Sequence, residues 1–147
     1  MAQLFPPWRL AGNIIWMSFK YTHKHRSSSG GKGGGPQNVS ITKTYSVHLY
    51  IAICDTQHTG PIGGLRRAWA DGTLIYQEGV GPFPSNWTFY AGTSDQPVDP
   101  IILSYYVASP AALFPAYIYT CYLAMEHYDM GAFPRVPNFT FEVYAPG

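Results

Sequence analysis

The stretch ITKTYSVHLYIAIC, residues 41–54, decides the fold class of this 147-residue chain. Its residues fall into two alternating sets, one largely apolar and the other mixed. The largely apolar set is Ile41, Lys43, Tyr45, Val47, Leu49, Ile51 and Ile53. The mixed set is Thr42, Thr44, Ser46, His48, Tyr50, Ala52 and Cys54. A period of two over this length predicts a long β-strand that buries one face.

The next stretch along the chain, GPIGGLRRAWADGTLIY at residues 60–76, predicts a β-hairpin. Its arms are residues 65–70 and 73–77, and Asp71 and Gly72 between them are the pair preferred in a two-residue type I′ turn. Further strands are predicted within residues 9–21 and at residues 87–90, 117–127 and 138–144. Asp99 followed by Pro100 predicts the start of a short helix. We therefore expect one mainly β domain over residues 1–147, a β-barrel or sandwich of about five to seven strands with at most one short helix.

Residues 22–38, THKHRSSSGGKGGGPQN, have the composition of a flexible loop that is rich in glycine, serine and basic residues. Such residues cannot bury enough area to offset the entropy lost when they are ordered. We expect this loop to join two strands inside the domain.

The composition favours a subunit of an assembly. Only 12% of the residues are charged, 16% are aromatic and 12 are tyrosines, with 15 glycines and 13 prolines. Aromatic residues and frequent turn formers favour β-structure. Because isolated domains depend on surface charge for solubility, so few charges predict that part of the surface is covered by partners.

The basic residues are concentrated in the first third of the chain. Six Lys and Arg residues precede Asp55, and no acidic residue does; they are Arg9, Lys20, Lys24, Arg26, Lys32 and Lys43. A basic segment could contact nucleic acid. Because three of these residues fall in the predicted loop, we favour a solvated loop or contact with the acidic end of a neighbour.

Two features bear on compartment and membrane. Cys54 and Cys121 are the only cysteines, and the first ten residues lack the apolar core of a secretory signal, so we expect free thiols. Residues 101–125 carry no charge and are long enough to span a bilayer. Pro110 and Pro115 interrupt this run and five tyrosines add polar groups, so we expect no stable membrane insertion.

Motifs for chemistry are weak. The glycines at residues 60–64 lack the GK[ST] sequence and the following helix of a phosphate loop. Three groups hold residue types used in catalysis or metal binding: Cys54, Asp55 and His58; His23 and His25; and Glu126, Asp129 and Glu142. None of the groups comes with the remaining parts that nucleophilic, metal or glycosidase chemistry needs. We predict no enzyme activity and no catalytic, metal or cofactor site.

Six blocks of sequence resemble, in order, the hub region of tail-tip proteins from siphophages and gene transfer agents. The blocks are RLAGNIIW (residues 9–16), TYSVHLYIAIC (44–54, after the basic, glycine-rich spacer), GPIGGLRRAWADGTLIY (60–76), FYAGTSDQPVDPII (89–102), PAYIYTCYLAMEH (115–127) and RVPNFTFEV (135–143). The motif and packing residues that the resemblance assigns are Gly12, Asn13, Trp16, Gly60, Pro61, Ile62, Trp69, Asp71, Gly72, Pro137, Asn138, Phe139, Phe141 and Glu142.

The resemblance implies a structural protein of the virion, made in the cytoplasm of the host bacterium. It implies a β-barrel hub that assembles as a trimer at the distal tail tip, where it closes or adapts the end of the tail tube and helps deliver DNA. Its implied partners are further copies of the chain, the distal tail ring, the tube and the fibre or tip chains, with phage DNA passing close by.

The chain departs from the family in three places. DTQHT, residues 55–59, separates the long strand from Gly60, and Ile118 and Tyr119 replace an Arg-Gly pair. In the loop before the last strand, Phe133 and Pro134 stand in place of the family's Gly-Asn pair. Family members also carry this region inside much longer chains. The alternative to a hub is a β-sandwich module of a tail fibre or baseplate, whose surface tyrosines bind a host receptor or glycan.

Overall fold

The computed structural model describes residues 7–29, 38–106 and 114–147. The strands are β1 (Trp8–Ala11), β2 (Asn13–Met17), β3 (Tyr21–Ser29), β4 (Asn38–Asp55), β5 (Gly64–Ala70), β6 (Thr73–Gln77), β7 (Trp87–Tyr90), β8 (Thr120–Gly131) and β9 (Phe139–Tyr144). The helix α1 covers Pro100–Tyr105. The mainly β class with one short helix is confirmed, although the strands outnumber the expected five to seven.

The strands form two antiparallel sheets. One has the order β1-β9-β5-β6, and the other has the order β2-β4-β8-β7 with β3 also paired to β4. This arrangement is consistent with a β-sandwich, and the residues that the structure describes do not close into a barrel. Of the two architectures expected from the sequence, the sandwich is the one observed.

The core lies between the two sheets. Val47, Leu49, Ile51 and Ile53 of β4 are all buried, which confirms the apolar face predicted for the middle of this strand. They cluster with buried residues of β5, β8 and β9: Leu65, Ala68, Cys121, Leu123, Met125, Phe139, Phe141 and Val143. Each fully buried large apolar side chain stabilises the fold by about 1.5–3 kcal/mol relative to exposure.

The other face of β4 is also buried at its centre. Tyr50 has no exposed surface and packs with Ile102 of α1 and with Tyr122 and Ala124 of β8. The helix therefore covers the outer face of the second sheet at this point. Asp99 caps it as predicted, because its side chain accepts a hydrogen bond from the Ile101 N–H and Pro100 occupies the first turn.

The hairpin predicted around Asp71 and Gly72 is present as β5 and β6. Both turn residues have positive φ, 49° for Asp71 and 83° for Gly72. A type I′ turn requires this backbone conformation at both of its central positions, so the prediction of the turn is confirmed.

The loop predicted at residues 22–38 is wrong over residues 22–29. Those residues belong to β3, which pairs with β4 from Tyr21 opposite Ser46 to Ser29 opposite Asn38. Composition does not reveal this strand, because its stability comes from pairing with β4 rather than from intrinsic preference. Residues 30–37 of the predicted loop, with Lys32, lie outside the described residues.

The strand predicted at residues 117–127 begins and ends later, as β8 at Thr120–Gly131. Tyr117 and Tyr119 have left-handed backbone, with φ of 53° and 59°, which is far from the extended backbone of a regular strand. The uncharged run at residues 101–125 contains residues 107–113, which the structure does not describe. No helix in the described part of the chain is long and apolar enough to cross a membrane.

Candidate functional site

Motif residues from three distant blocks of sequence meet at one place, which we call the motif junction (Gly12, Asp71, Asn138 and Phe139). The Gly12 N–H donates to the Phe139 carbonyl at 2.9 Å. The Asp71 N–H donates to the Asn138 carbonyl at 2.9 Å, and the Asn138 N–H donates back to Asp71 Oδ1 at 2.9 Å. The junction thus joins the bend between β1 and β2, the β5–β6 turn and the start of β9.

Gly12 is required at the junction because the backbone lies against the core. A Cβ atom at this position would lie 2.6 Å from Ile51 Cγ2 and 2.7 Å from Phe141 Cε2. Real Cβ contacts essentially never fall below 3.0 Å. Any side chain here would displace two buried core residues.

Asp71 serves the junction as an anion. The hydrogen bond from the Asn138 N–H lowers the pKa of the Asp71 carboxyl. The Arg135 guanidinium, which forms an ion pair with Asp71, lowers it further. Asp71 therefore stays ionised at neutral pH and holds the turn to the segment before β9. This chemistry is structural, since a carboxylate with a lowered pKa is a poor general acid.

The remaining motif residues of β2 and of the segment before β5 are packing or bending residues. Trp16 packs against Tyr50, with ring centroids 4.9 Å apart, and Asn13 lies opposite Ala52 in the strand pair. Gly60 has a φ of 82°, Pro61 is exposed, and Ile62 is buried in the core.

The motif residues of β5 and β9 contact basic side chains. The Arg9 guanidinium lies 4.0 Å from the centroid of the Trp69 ring, which is a cation–π contact. Glu142 Oε1 lies 3.5 Å from both Arg66 Nε and Arg67 Nη1. Pro137 is half-buried between Val136 and Asn138.

The carboxylate that caps the helix also ties it to the second sheet, through hydrogen bonds that the sequence reasoning missed. Asp99 is 2% exposed and accepts hydrogen bonds from the Tyr50 hydroxyl at 2.6 Å and from the Tyr90 hydroxyl. The Tyr50 oxygen in turn accepts from the Ile102 N–H at 3.0 Å. Burial first, and then the contact with Asp99, raises the pKa of Tyr50 and of Tyr90, so both hydroxyls remain donors.

Tyr122 completes this aromatic cluster without sharing its hydrogen bonds. Its ring stacks on Tyr90, with centroids 4.5 Å apart and planes 9° from parallel. Its hydroxyl is buried, and within the described ranges it has no hydrogen-bond partner.

Histidines converge beside the paired strands β3, β4 and β8. Ser46 Oγ lies 2.9 Å from His23 Nε2 and 3.2 Å from His127 Nδ1, and a hydroxyl can donate its one hydrogen to only one of the two. His48 Nδ1 accepts from the His127 N–H at 3.0 Å. Burial first, and then the neighbouring His127, lowers the pKa of His48.

These histidines are engaged in hydrogen bonds rather than arranged as ligands. His25 Nε2 forms a hydrogen bond of 2.8 Å with the Thr44 hydroxyl on the neighbouring strand. Among the described residues, no group of three or more His, Cys, Asp or Glu side chains is placed to hold a metal ion.

The groups considered for catalysis are not assembled as catalytic sites. Cys54 lies directly opposite Cys121 across β4 and β8, and over residues 7–29, 38–106 and 114–147 no hydrogen bond joins it to His58. Asp55 Oδ1 instead accepts from the Gln57 N–H at 2.9 Å. Glu142, one of three candidate carboxylates, is held in the other sheet by its two arginines.

Two of the clefts in the described part of the chain are lined mainly by apolar residues and are open to solvent. The first, which we call the β2 groove, is a cleft of about 520 Å³ whose lining includes Ile14, Met17, Phe19, Met130 and Val136. Phe19 there is 85% exposed. The second, which we call the β6 patch, is a shallower cleft of about 280 Å³ whose lining includes Leu74, Ile75, Val80 and Pro82. Exposed apolar surfaces of this kind mark interaction sites in soluble proteins.

The comparisons with known proteins point to a virion. No protein-family model matches the chain, and no curated protein matches it. A chain in the structure titled "Virion of native gene transfer agent (GTA) particle" is similar, with 30% sequence identity and a TM-score of 0.62. The similarity covers 98% of this chain and 26% of that chain, so this chain spans about a quarter of the length of its structural neighbour. The similarity supports a phage-derived virion protein with a structural role.

Proposed function

We propose that this chain is a structural component of a tail-tip hub, and that it assembles as a trimer at the distal end of a phage-type tail tube. There it closes or adapts the end of the tube, next to the distal tail ring, the tube and the fibre or tip chains, along the path that DNA takes during delivery. The observation that carries the proposal is the similarity to a gene transfer agent virion chain over 98% of this chain.

The motif residues have structural roles in the fold, which supports an assembly component rather than an enzyme. Gly12 permits a close backbone approach, Asp71 and Gly72 form a turn, and Phe139 and Phe141 fill the core. All of these roles fix the shape of the sandwich. A subunit whose contacts with neighbours require a fixed shape depends on such residues.

The two apolar surfaces support a closed ring. Head-to-tail contacts generate a ring only when each copy carries two different, complementary patches. The β2 groove and the β6 patch share no residue, so each copy offers one surface of each kind. In the proposed trimer the β2 groove of each copy receives the β6 patch of the next.

The mass of the purified chain in solution tests this proposal. Light scattering should give three times the 16.3 kDa of one chain. Phe19→Asp in the β2 groove and Val80→Asp in the β6 patch should each abolish the trimer, because an interface does not tolerate a buried unpaired charge. Ile118→Asp, at a residue 49% exposed and outside both surfaces, is the matched control and should leave the trimer intact.

Mixing the two variants tests the head-to-tail arrangement itself. The Phe19→Asp chain keeps its β6 patch and the Val80→Asp chain keeps its β2 groove, so the mixture should form a heterodimer. A wild-type chain that stays monomeric at all concentrations contradicts the trimer. A mixture that stays monomeric, or that restores the trimer, contradicts the pairing of these two surfaces.

A cluster of aromatic rings favours one alternative, a fibre or baseplate module that binds a host receptor or glycan. Tyr76, Phe83 and Trp87 pack edge to face beside the β6 patch, with centroids 5.3–5.9 Å apart, and Phe83 is 39% exposed. Aromatic surfaces of this kind suit sugar rings, which present apolar faces. A stable monomer that binds host polysaccharide, and loses that binding in Phe83→Ala, would favour this alternative over the hub.

A further inference from the structure

The strands β3 and β4 continue past the body of the second sheet as a two-stranded ribbon. Pairing between β4 and β8 ends with Tyr45 opposite Gly131, whereas pairing with β3 runs on to Asn38. Residues 23–29 and 38–44, which we call the ribbon, therefore pair only with each other in the part of the chain that the structure describes. At about 3.3 Å per residue the ribbon extends roughly 23 Å.

One face of the ribbon carries four cations. Lys24 lies directly opposite Lys43, and Arg26 lies two residues further along the same face. Lys20 reaches this face from the start of the ribbon, with Nζ 5.0 Å from the centroid of the Tyr45 ring. All four basic side chains are exposed. We call this surface the cationic face.

The cationic face has no counter-charge within the protein. None of its four side chains forms an ion pair among residues 7–29, 38–106 and 114–147, and the sequence holds no acidic residue before Asp55. Like charges directly opposite one another destabilise a strand pair. A two-stranded ribbon is itself only marginally stable in water. A ribbon that carries this repulsion is therefore best stabilised by a bound anion.

The opposite face of the ribbon satisfies its own polar groups. His23 bonds to Ser46, His25 to Thr44 and Ser27 to Ser40, at distances of 2.8–2.9 Å. This ladder of side-chain hydrogen bonds crosses the two strands and fixes their register. The cationic face is thus the one that lacks partners.

A second copy of the chain does not offer a matching acidic patch. Four of its carboxylates are engaged by side chains of their own subunit, namely Asp71, Glu78, Asp99 and Glu142. The other four are Asp55, Asp95, Glu126 and Asp129, of which only Glu126 and Asp129 lie on one strand, β8. The regular row of cations fits a regular row of anions better.

We propose that the cationic face binds the phosphate backbone of duplex DNA without base specificity, through Lys20, Lys24, Arg26 and Lys43. Lysine and arginine neutralise phosphates with release of counterions, and the major groove of B-DNA admits a two-stranded β-ribbon. The sequence alone favours a solvated loop or an acidic neighbour because residues 22–29 have the composition of a loop, whereas in the structure they are paired in β3. The inference rests on the ribbon and on Lys20, which also lines the β2 groove, and it does not depend on the position proposed for the chain in a tail.

Fluorescence anisotropy with a labelled duplex of mixed sequence, about two helical turns long, tests the proposal. Four phosphate contacts predict a slope of log K against log salt concentration of about −3.6. The double variant Lys24→Gln/Lys43→Gln should reduce the slope to about −1.8 and weaken binding roughly 60-fold at 0.1 M salt. The matched control Arg66→Gln/Arg135→Gln removes the same charge from outside the ribbon and should change affinity by less than about threefold.

Misfolding is not expected to confuse the result. Because Lys24→Gln/Lys43→Gln removes a repulsive pair, its melting temperature should equal or exceed that of the wild type. Binding by the variant that matches the wild type, or an equal loss in the control, would overturn the proposal. So would an absence of binding by the wild type at 50 mM salt. Tighter binding of polyglutamate than of DNA at equal charge concentration would also overturn it, and would assign the face to an acidic protein.

Discussion

Replacing Tyr50 by Phe should lower the free energy of unfolding by about 2–4 kcal/mol. The lost hydroxyl donates to the Asp99 carboxylate at 2.6 Å and accepts from the Ile102 N–H at 3.0 Å, in a side chain with no exposed surface. A hydrogen bond to a charged group contributes about 1.5–3 kcal/mol, and a buried N–H left without a partner costs about 1–3 kcal/mol. Partial relaxation of the helix end makes the total smaller than the sum.

Tyr122→Phe is the matched control, because it removes the same atom from an equally buried ring. The Tyr122 hydroxyl is buried without a hydrogen-bond partner among the described residues. Burying an unpaired hydroxyl costs about 1–3 kcal/mol, so its removal should leave stability unchanged or raise it by about 1 kcal/mol. The two substitutions should therefore act in opposite directions although they are chemically identical.

Urea denaturation followed by tryptophan fluorescence measures both effects. The midpoint should fall for Tyr50→Phe and stay or rise for Tyr122→Phe, with the same slope m in all three proteins. At about 2–4 °C per kcal/mol for a chain of this size, Tyr50→Phe should melt roughly 4–16 °C below the wild type. Equal losses in the two variants, or a loss below about 0.5 kcal/mol in Tyr50→Phe, would refute the assigned hydrogen bonds.

Three further predictions concern the core, pH and the thiols. Gly12→Ala should cost about 1–3 kcal/mol by overpacking, whereas Gly81→Ala, where a Cβ meets nothing within 4 Å, should be nearly neutral in the same denaturation assay. Burial lowers the pKa of His48. The contribution of His48 to the free energy of unfolding is therefore present above about pH 6.5 and lost as the pH falls. Below that pH the melting temperature of His48→Gln should decline less steeply than that of the wild type, and an equally steep decline would contradict this. Iodoacetamide should label the half-buried Cys54 in the native protein and reach Cys121 only after unfolding, because the adjacent Cys54 thiol first, and then burial, raise the pKa of Cys121. Mass spectrometry showing both cysteines labelled at equal rates in the native state would count against the buried thiol.

The sequence predicted the elements whose signals are local. Alternation of apolar residues marked the middle of β4, the pair Asp71 and Gly72 marked the hairpin turn, and Asp99 before Pro100 marked the helix start. Each of these signals acts over a few neighbouring residues, either through side-chain period or through backbone preference. A single sequence displays such preferences directly.

The features that the sequence did not predict depend on distant partners. The strand β3 has an unremarkable composition of serine, histidine and lysine, and it forms because β4 extends far enough to pair with it. Tyr117 has left-handed backbone, and its carbonyl accepts a hydrogen bond from the side-chain amide of the buried Gln96. Gln96 lies 21 residues earlier in the chain. The hydroxyls around Asp99 come from strands β4 and β7, and no spacing rule connects them.

The candidate site was foreseen in part. The resemblance named Gly12, Asp71 and Phe139 as motif residues, and their meeting at the motif junction gives these residues a physical role. The two apolar surfaces were not foreseen, and the sequence showed only the excess of basic residues that forms the cationic face, because each surface is a property of exposed side chains brought together by the fold. The low overall charge indicated only that partners exist.

The most direct test of the proposed function is a cryo-electron microscopy map of the intact particle that carries this chain. The account predicts three copies in a ring at the distal end of the tail tube, with the β2 groove of each copy against the β6 patch of the next. Density for the chain in the capsid, in a peripheral fibre or as an isolated monomer would contradict it.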